Sequence, residues 1–279
     1  MRLGGSVTGT WKTPEEWGKL LEKSRFATVT SPVDSSAPRA LAQEYFDIAR
    51  QLGVLVAEVG VWKNVLSPDQ QERQKNREYA IKQLAFAEEM GVSCCVNIAG
   101  SRGSVWDGAY PDNYSQKTYD LIVESVRDII DAVKPVRAFY TLEPMPWMPP
   151  DGPEEYLQLI RDIDRKQFGA HMDFVNMISS PRRSLFAYDF IEECFSKLGP
   201  YTKSCHIKDS AMEEKYTAVI REAQPGKGGL DFERVLASIA RHLPPDAPVL
   251  LEHMSTFEEY AAAYDHVASC ADQAGIPIR

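Results

Sequence analysis

Four side chains that can bind a metal ion each stand at the end of a short run of β-branched, aromatic or aliphatic residues. Glu143 closes one such run and is followed at once by Pro144, and Asp173, His206 and Glu252 end similar runs later in the chain. Three carboxylates and one imidazole are a hard, oxygen-rich set, unlike the sulfur and nitrogen ligands of a structural zinc site. They therefore predict a divalent metal site, with Mn²⁺ as the first choice and Mg²⁺ or Co²⁺ as alternatives.

A simpler interpretation exists for each of these residues taken alone. A single Glu or Asp at the end of a strand more often accepts a hydrogen bond from a loop or caps a helix. Three carboxylates brought close together in a protein interior, however, would repel one another strongly unless a cation lay between them. The metal site therefore depends on whether the fold brings the four strand ends to one point.

The elements that would position these residues alternate between strand and helix along the whole chain. Short strand-like runs are each followed by a helical segment, and no linker or shift in composition separates them. The predicted strands lie within residues 3–7, 26–30, 54–62, 93–98, 139–147, 169–175, 203–207 and 249–252. This alternation predicts an α/β fold, a single-domain (β/α)8 TIM barrel over residues 1–279, in which active sites lie at the C-terminal ends of the strands.

A doubly wound sheet is the main alternative for such an alternation. The glycine-containing strings at 100–103 and 226–229 lack the spacing and the strand-to-helix context of a dinucleotide-binding turn, so the barrel is favoured. The loop at 99–113 is long for a connection between strand and helix, and such loops are more often functional than accidental. This loop is a candidate cover for the site. Residues 209–229 are predicted as an extended segment before the next helix.

Charge and composition exclude several classes of protein. The net charge of -9 repels phosphate backbones, and no basic stripe with interleaved aromatic residues is present, so we expect no nucleic-acid partner. No apolar run approaches the ~20 residues of a membrane span, and the first residues lack the apolar core of a secretory signal. We therefore expect no membrane association and a cytoplasmic protein, in which the five cysteines are reduced thiols.

Several strings resemble the xylose-isomerase-like TIM barrel superfamily, which includes sugar and sugar-phosphate isomerases and epimerases and the AP-endonuclease-2-type family. They are Leu142-Glu-Pro144, His171-Met-Asp173, Ser204-Cys-His-Ile-Lys-Asp209, Pro225-Gly-Lys-Gly-Gly-Leu-Asp231 and Leu250-Leu-Glu-His253. The resemblance implies a divalent-metal-dependent isomerase or epimerase of a sugar or keto sugar. By likeness to the ketose 3-epimerases, Glu143 and Glu252 would be both ligands and the acid/base pair. They would move a proton next to a carbonyl through a metal-stabilised enediolate.

The chain departs from the ketose 3-epimerases at three substrate-binding positions. Where those enzymes have a glutamate, a histidine and an arginine, this chain has Pro149, Asn176 and Met212. The string from His206 to Asp209 is closer to inosose-dehydratase-like members, in which the lysine lies near the substrate. Lys208 is therefore a third catalytic candidate, and the alternative function is a metal-dependent lyase: a dehydratase, decarboxylase or deglycosidase of a 3-keto sugar or cyclitol derivative.

Further polar and aromatic residues follow the predicted strands and are candidate contacts for a small carbohydrate. Sugar rings stack on indoles, and their hydroxyl groups need amide or charged partners. The candidates are Glu58, Trp62, Lys63, Asn97, Arg102, Trp147, Asn176, Arg182 and Arg183. The two tryptophans could instead pack against helices, and the arginine pair could be solvated. His171 shares the inward face of Asp173 and is predicted as a core or supporting histidine.

Two other functions are weaker alternatives. An endonuclease-IV-like repair enzyme needs more histidine ligands than the chain offers, and the acidic surface opposes DNA binding. A sugar sensor without turnover could use the same pocket. Barrels of the family often pair through their helices, which makes a homo-oligomer an expectation.

Overall fold

Eight parallel strands close into a barrel, and the computed structural model describes residues 1–279. The chain has ten strands, eight in the barrel and two outside it: β1 Arg2–Gly5, β2 Thr28–Thr30, β3 Leu55–Gly60, β4 Cys94–Asn97, β5 Phe139–Leu142, β6 Phe168–Met172, β7 Thr202–Ile207, β8 Asp209–Glu213, β9 Val219–Ala223 and β10 Pro248–Leu251. The barrel order is β1-β10-β7-β6-β5-β4-β3-β2, and β8 and β9 form a separate two-stranded sheet. This arrangement confirms the predicted (β/α)8 TIM barrel.

Helices surround the barrel and follow most of its strands. They are α1 Pro14–Ser24, α2 Arg39–Gln51, α3 Gln70–Met90, α4 Gln116–Val133, α5 Pro153–Ile163, α6 Phe174–Met177, α7 Pro181–Leu185, α8 Ala187–Leu198, α9 Phe232–His242 and α10 Phe257–Gln273. Short 3₁₀ helices occupy Pro111–Tyr114 and Gly199–Tyr201.

The helix ends follow from local sequence. α3 begins after Asp69, whose side chain accepts a hydrogen bond from the Glu72 amide at 2.8 Å, and it ends at Gly91, which has a φ of 76°. Glycine adopts this left-handed conformation without the penalty of a Cβ atom. α10 begins with a capping box between Thr256 and Glu259. These signals made the helix boundaries predictable from the sequence.

The strand predicted within 139–147 ends at Leu142, because Pro144 and Pro146 cannot donate ladder hydrogen bonds. Two further segments differ from the sequence prediction. β6 ends at Met172 instead of continuing to residue 175, because Asp173 caps α6 by accepting a hydrogen bond from the Asn176 amide at 3.0 Å. The segment after β7 forms the antiparallel hairpin β8–β9, which lies outside the barrel ladder. Both differences affect residues at the site end of the barrel.

Asp209 anchors the base of this hairpin. Its Oδ1 accepts hydrogen bonds from the Ser210 and Leu230 amides at 2.8 and 3.0 Å, and its Oδ2 from the Gly226 and Gly228 amides at 3.1 and 2.9 Å. A Cβ atom at Gly228 would lie 2.2 Å from the Asp209 carboxylate, so only glycine allows this approach. The carboxylate thereby fixes where the hairpin leaves the barrel and where the chain returns.

The barrel and the inner faces of the helices bury one continuous cluster of apolar side chains. All five cysteines are free thiols, and Cys270 alone is partly exposed. No helix combines the length and the apolar character required to cross a membrane. A few buried side chains inside the barrel are not apolar but charged or titratable, such as Glu58 and His171 at 1% and 0% exposure. Such burial is unusual and requires partners.

Candidate metal centre

The four predicted ligands converge at the C-terminal end of the barrel. Glu143 follows β5, Asp173 follows β6, His206 lies near the end of β7, and Glu252 follows β10. These strands are consecutive around the barrel, which explains why residues far apart in sequence meet. Each residue contributes a ligand atom, and these atoms all lie within 4.8 Å of one another. The arrangement can surround a single cation.

Buried atoms without hydrogen-bond partners identify the space that a cation would fill. Glu143 Oε2, Asp173 Oδ2 and His206 Nδ1 are all inaccessible to solvent and make no hydrogen bond. Leaving such atoms unsatisfied costs about 1–3 kcal/mol each, and more when the group is charged. A divalent cation bound by oxygen and imidazole nitrogen would satisfy all three, so the residues present fit the metal that the sequence predicts.

The charges at the centre also match a divalent cation. Glu143, Asp173 and Glu252 carry three negative charges when ionised, and the buried ammonium of Lys208 supplies one positive charge. Lys208 Nζ lies 2.7 Å from Glu252 Oε2 and 2.8 Å from Asp173 Oδ2, but only the contact with Glu252 has hydrogen-bond geometry. With all three carboxylates ionised and His206 neutral, which is the state that binds a metal ion, two negative charges remain, and a divalent cation would balance them.

Burial and mutual repulsion set the protonation of the two glutamates. Burial raises the pKa of Glu143 well above its usual range, and the charge of Glu252 raises it further. Burial also opposes ionisation of Glu252, but the positive charges of His206 and Lys208 outweigh it and hold the pKa well below its usual range. A cation between the two carboxylates would favour the ionised form of both.

Lys208 and His206 have raised pKa values because carboxylates surround them. Burial lowers the pKa of Lys208, but the charges of Asp173 and Glu252 reverse this effect and raise it well above its usual range. Burial likewise lowers the pKa of His206, and the charges of Glu252 and Glu58 raise it well above its usual range. The centre therefore attracts positive charge strongly.

Glu58 holds two histidines from beneath the centre. Its Oε1 lies 3.0 Å from His171 Nε2, its Oε2 lies 3.1 Å from His206 Nε2, and the Ser204 hydroxyl donates a hydrogen bond to Oε1. Burial opposes ionisation of Glu58, but the two histidines lower its pKa well below its usual range. A carboxylate on the far nitrogen of a ligating histidine fixes the orientation of the ring. Glu58 therefore orients His206 and leaves Nδ1 facing Glu252, whose Oε1 lies 3.1 Å away.

Asn176 connects two of the candidate ligands. Its backbone amide donates to Asp173 Oδ1, and its side-chain Nδ2 donates to Glu143 Oε1 at 3.0 Å. Each carboxylate thus has one oxygen held by Asn176 and the other oxygen without a hydrogen bond. Asp173 can therefore cap a helix through Oδ1 while Oδ2, which lies 2.8 Å from Lys208 Nζ, still faces the centre, so the two interpretations of this residue are compatible.

Two residues at the centre were not selected from the sequence. Glu222, on β9, lies 3.3 Å from Lys208 Nζ and 2.9 Å from His253 Nδ1. His253, with a φ of 59° and a side chain that is 56% exposed, lies 3.1 Å through Nε2 from Glu252 Oε1. Its position directly after Glu252 was the only available signal. Glu222 comes from the hairpin, which the sequence did not predict.

A cavity of about 1040 Å³ opens above the centre. Eight of the predicted site residues line it, together with Glu222, Trp106 and Asp107. The eight are Glu58, Trp62, Lys63, Glu143, Trp147, Asn176, His206 and Glu252. Trp106 and Asp107 belong to the long loop at 99–113, which therefore reaches the cavity. Asp173 and Lys208 are fully buried below its surface.

Four predicted substrate contacts lie away from this cavity. Asn97 is fully buried and exchanges two hydrogen bonds with the backbone of Lys63, at 3.0 and 3.2 Å, so it holds a loop in place. Arg102 donates from Nη1 to the Leu66 carbonyl. Arg182 and its neighbour Arg183 line a separate cavity of about 630 Å³ outside the barrel mouth. Their local partners explain why residues placed after strands do not all face the centre.

Comparison with known proteins relates the chain to one family of TIM barrels. The family model described as xylose isomerase-like TIM barrel matches residues 22–272. No curated sequence matches the chain. A xylose isomerase-like TIM barrel protein from Mycobacterium smegmatis, solved in complex with magnesium, has 14% identity and a TM-score of 0.69, over 98% of this chain and 97% of that chain.

Two solved epimerases have the same fold over nearly their whole length. D-psicose 3-epimerase from Clostridium cellulolyticum H10, solved with D-tagatose, has 15% identity and a TM-score of 0.71, over 97% of this chain and 99% of that chain. 3-keto-D-glucoside 4-epimerase from E. coli has 14% identity and a TM-score of 0.72, over 97% and 100%. At these identities the likeness concerns the fold, and the chemistry has to be argued from the site.

Proposed function

We propose that this chain, which belongs to the xylose isomerase-like TIM barrel family, is a divalent-metal-dependent isomerase or epimerase of a sugar or keto sugar. The observation that carries the proposal is the buried group of Glu143, Asp173, His206 and Glu252, in which three polar atoms make no hydrogen bond. The sugar epimerases of similar fold support a carbohydrate substrate. Together they favour proton transfer next to a carbonyl.

The four side chains of the centre would hold the metal ion, and the cavity above them would hold the sugar. When bound, the ion would supply a Lewis acid that stabilises negative charge on the carbonyl oxygen of the substrate. Mn²⁺ is our first choice because the set contains three carboxylates and one imidazole, with Mg²⁺ and Co²⁺ as alternatives.

Glu143 and Glu252 are the proposed acid and base. One carboxylate removes the proton from the carbon next to the carbonyl, and the electron pair moves to the carbonyl oxygen. In an epimerase the other carboxyl group then gives a proton to the opposite face of the same carbon, and the carbonyl forms again. In an isomerase the proton is added to the former carbonyl carbon, and the hydroxyl proton of the first carbon moves to the former carbonyl oxygen as the new carbonyl forms. Asn176 holds Oε1 of Glu143, and Lys208 donates to Oε2 of Glu252, so each carboxylate keeps a fixed orientation during the transfer.

Deuterium exchange tests this function. Protein reconstituted with Mn²⁺ is incubated in deuterated water with a panel of ketoses and keto sugars, and the sugars are analysed by NMR. We expect deuterium at one carbon next to the carbonyl of at least one sugar, and none with Glu143→Gln. Glu192→Gln is the matched control, because Glu192 also contacts a histidine but lies on the surface. Absence of exchange across the whole panel would refute the proposal.

The same experiment separates the lyase from the epimerase. Lys208 donates a hydrogen bond to Glu252, so an ammonium lies beside a proposed proton-transfer group and could assist departure of a hydroxyl group or an aglycone. Release of water, carbon dioxide or an aglycone, with the absorbance of an enone, would assign lyase chemistry. Clean interconversion of two isomers would assign the epimerase.

A further inference from the structure

The cavity above the centre is much larger than a single sugar. A six-carbon sugar displaces on the order of six water molecules, about 200 Å³ at roughly 30 Å³ for each water. The cavity measures about 1040 Å³, and the centre occupies only one part of its wall. A monosaccharide at the centre would therefore leave most of this space to solvent.

Three tryptophans line the part of the cavity wall that lies outside the centre. Trp62 follows β3, Trp106 belongs to the loop at 99–113, and Trp147 follows β5. They are 41%, 38% and 39% exposed, so more than a third of each side chain is not used for packing within the protein. We name these three residues the aromatic subsite.

Trp62 is held in its position at a conformational cost. Its φ of 48° lies in the left-handed region, which is unfavourable for a bulky side chain. The indole lies over Gly60, where an added Cβ atom would be 2.0 Å from Nε1, so glycine is required beneath the ring. An exposed aromatic ring in a strained conformation over a glycine is not explained by core packing.

Trp147 is held by hydrogen bonds to the loop at 99–113. Its Nε1 donates to the Asp107 carbonyl at 2.6 Å, and its own carbonyl accepts from Asn113 Nδ2 at 3.2 Å. These bonds connect the segment after β5 to the loop that carries Trp106. Two of the three indoles therefore belong to one connected part of the cavity wall.

We propose that the substrate has two rings, and that the aromatic subsite binds a second ring attached by a glycosidic bond to the sugar that reacts at the metal centre. The proposal rests on the proposed function for the position of the reacting sugar. Indoles stack against the apolar face of a sugar ring or against an aryl ring, so the aromatic subsite suits a second ring of either kind. The reacting ring must retain a carbonyl, so the glycosidic bond is attached at a carbon other than the carbonyl carbon.

Calorimetric titration of the Mn²⁺-reconstituted protein with matched pairs of ligands tests the proposal. D-fructose is compared with palatinose and lactulose, which each carry a second sugar ring and a free carbonyl. Methyl 3-keto-β-D-glucoside is compared with phenyl 3-keto-β-D-glucoside, which both keep a carbonyl on the reacting ring, so that the two series distinguish a sugar ring from an aryl ring. We expect about tenfold tighter binding of the two-ring member in at least one series.

Variants of the aromatic subsite provide the specific readout. Trp62→Gly removes the ring, and glycine adopts the left-handed conformation without strain, so the variant should fold. Trp62→Gly and Trp147→Ala should each lower the affinity for the two-ring ligand toward that of its one-ring partner, and the affinity for the one-ring ligand should change much less. Tyr201→Ala is the control, because Tyr201 has a similar exposure of 39% and precedes β7 at the opposite end of the barrel.

The possible results separate this proposal from the proposed reaction. Equal binding within each pair, or no binding of any ligand, would overturn the aromatic subsite. Deuterium exchange with one-ring sugars would then still support the reaction. Conversely, a tryptophan-dependent preference for two rings without deuterium exchange would support the subsite and refute the reaction.

Discussion

The molecule contains two clusters of glutamate and histidine, one on the surface between α8 and α9 and one at the mouth of the barrel. In the surface cluster, Glu192 accepts hydrogen bonds from Ser238 Oγ at 2.6 Å and Arg241 Nη1 at 2.8 Å, and it lies 2.7 Å from His242 Nε2. Its side chain is 38% exposed, so water completes its solvation. Every charge there has a partner.

The buried cluster differs in that its polar atoms are not all satisfied. Glu143 Oε2, Asp173 Oδ2 and His206 Nδ1 have no hydrogen-bond partner, and Asp173 is fully buried. The same residue types therefore form an ion cluster with complete hydrogen bonding in one place and a candidate metal site in the other. The difference supports the proposed function, because buried polar atoms without a hydrogen bond lower stability unless a ligand supplies what is missing.

The largest effect is expected from Glu143→Gln. Turnover should fall by about 10³-fold, because an amide cannot transfer the proton, and the bound metal should decrease. Thermal unfolding of the metal-free variant should occur no lower than that of the wild type, because one of three mutually repelling carboxylates is removed. Glu192→Gln should show the reverse pattern, with normal turnover and slightly lower stability. Loss of stability in both variants would remove the distinction between the clusters.

Glu58→Gln should have the next largest effect. The amide can accept a hydrogen bond from only one of the two histidines that Glu58 now contacts, so His206 loses its fixed orientation. We expect the affinity for Mn²⁺, measured by calorimetry, to fall by about 10- to 100-fold. An unchanged affinity would show that Glu58 does not position His206.

Glu222→Ala tests whether the hairpin belongs to the buried cluster. Loss of the contacts with Lys208 and His253 should lower kcat by about tenfold, with unchanged metal content, because both partners touch Glu252. Glu213→Ala is the control, since Glu213 lies on the same hairpin and pairs with Lys215. A change in KM alone would assign Glu222 to substrate binding instead of positioning.

The smallest effect concerns the acid stability of the surface cluster. Hydrogen bonds from His242 and Ser238 lower the pKa of Glu192 to about 2, whereas glutamate in an unfolded chain has a pKa of about 4.3. A lowered pKa contributes stability that is present above the unfolded value and is lost as the pH falls through the folded value. The difference in unfolding free energy between wild type and Glu192→Gln should therefore shrink between about pH 5 and pH 2. A constant difference in urea titrations would contradict this assignment.

The barrel and the positions of the four candidate ligands at one end of it were predictable because both depend on local signals. Helix caps, the alternation of strand and helix, and an acid or histidine directly after a strand are visible in the sequence. The meeting of Glu143, Asp173, His206 and Glu252 then follows from the barrel order. No knowledge of side-chain partners was needed.

The surroundings of the centre depend on contacts between distant segments. Glu58 was expected to bind substrate, but histidines on β6 and β7 surround it. Glu222 was not predicted as a site residue, because the sequence did not predict the hairpin that brings it back to the barrel mouth. Asn97 and Arg102 also follow a strand, but backbone groups of the preceding loop satisfy their side chains. Sequence position gives the end of the barrel on which a residue lies, but not the direction of its side chain.

Anomalous diffraction from crystals grown with MnCl₂ would show whether the four side chains bind a metal ion. Data collected on both sides of the manganese absorption edge identify the element at each peak. We predict one manganese peak per chain, bonded to Glu143, Asp173, His206 and Glu252. No manganese peak at these four side chains, with Lys208 as their only cation, would contradict the account.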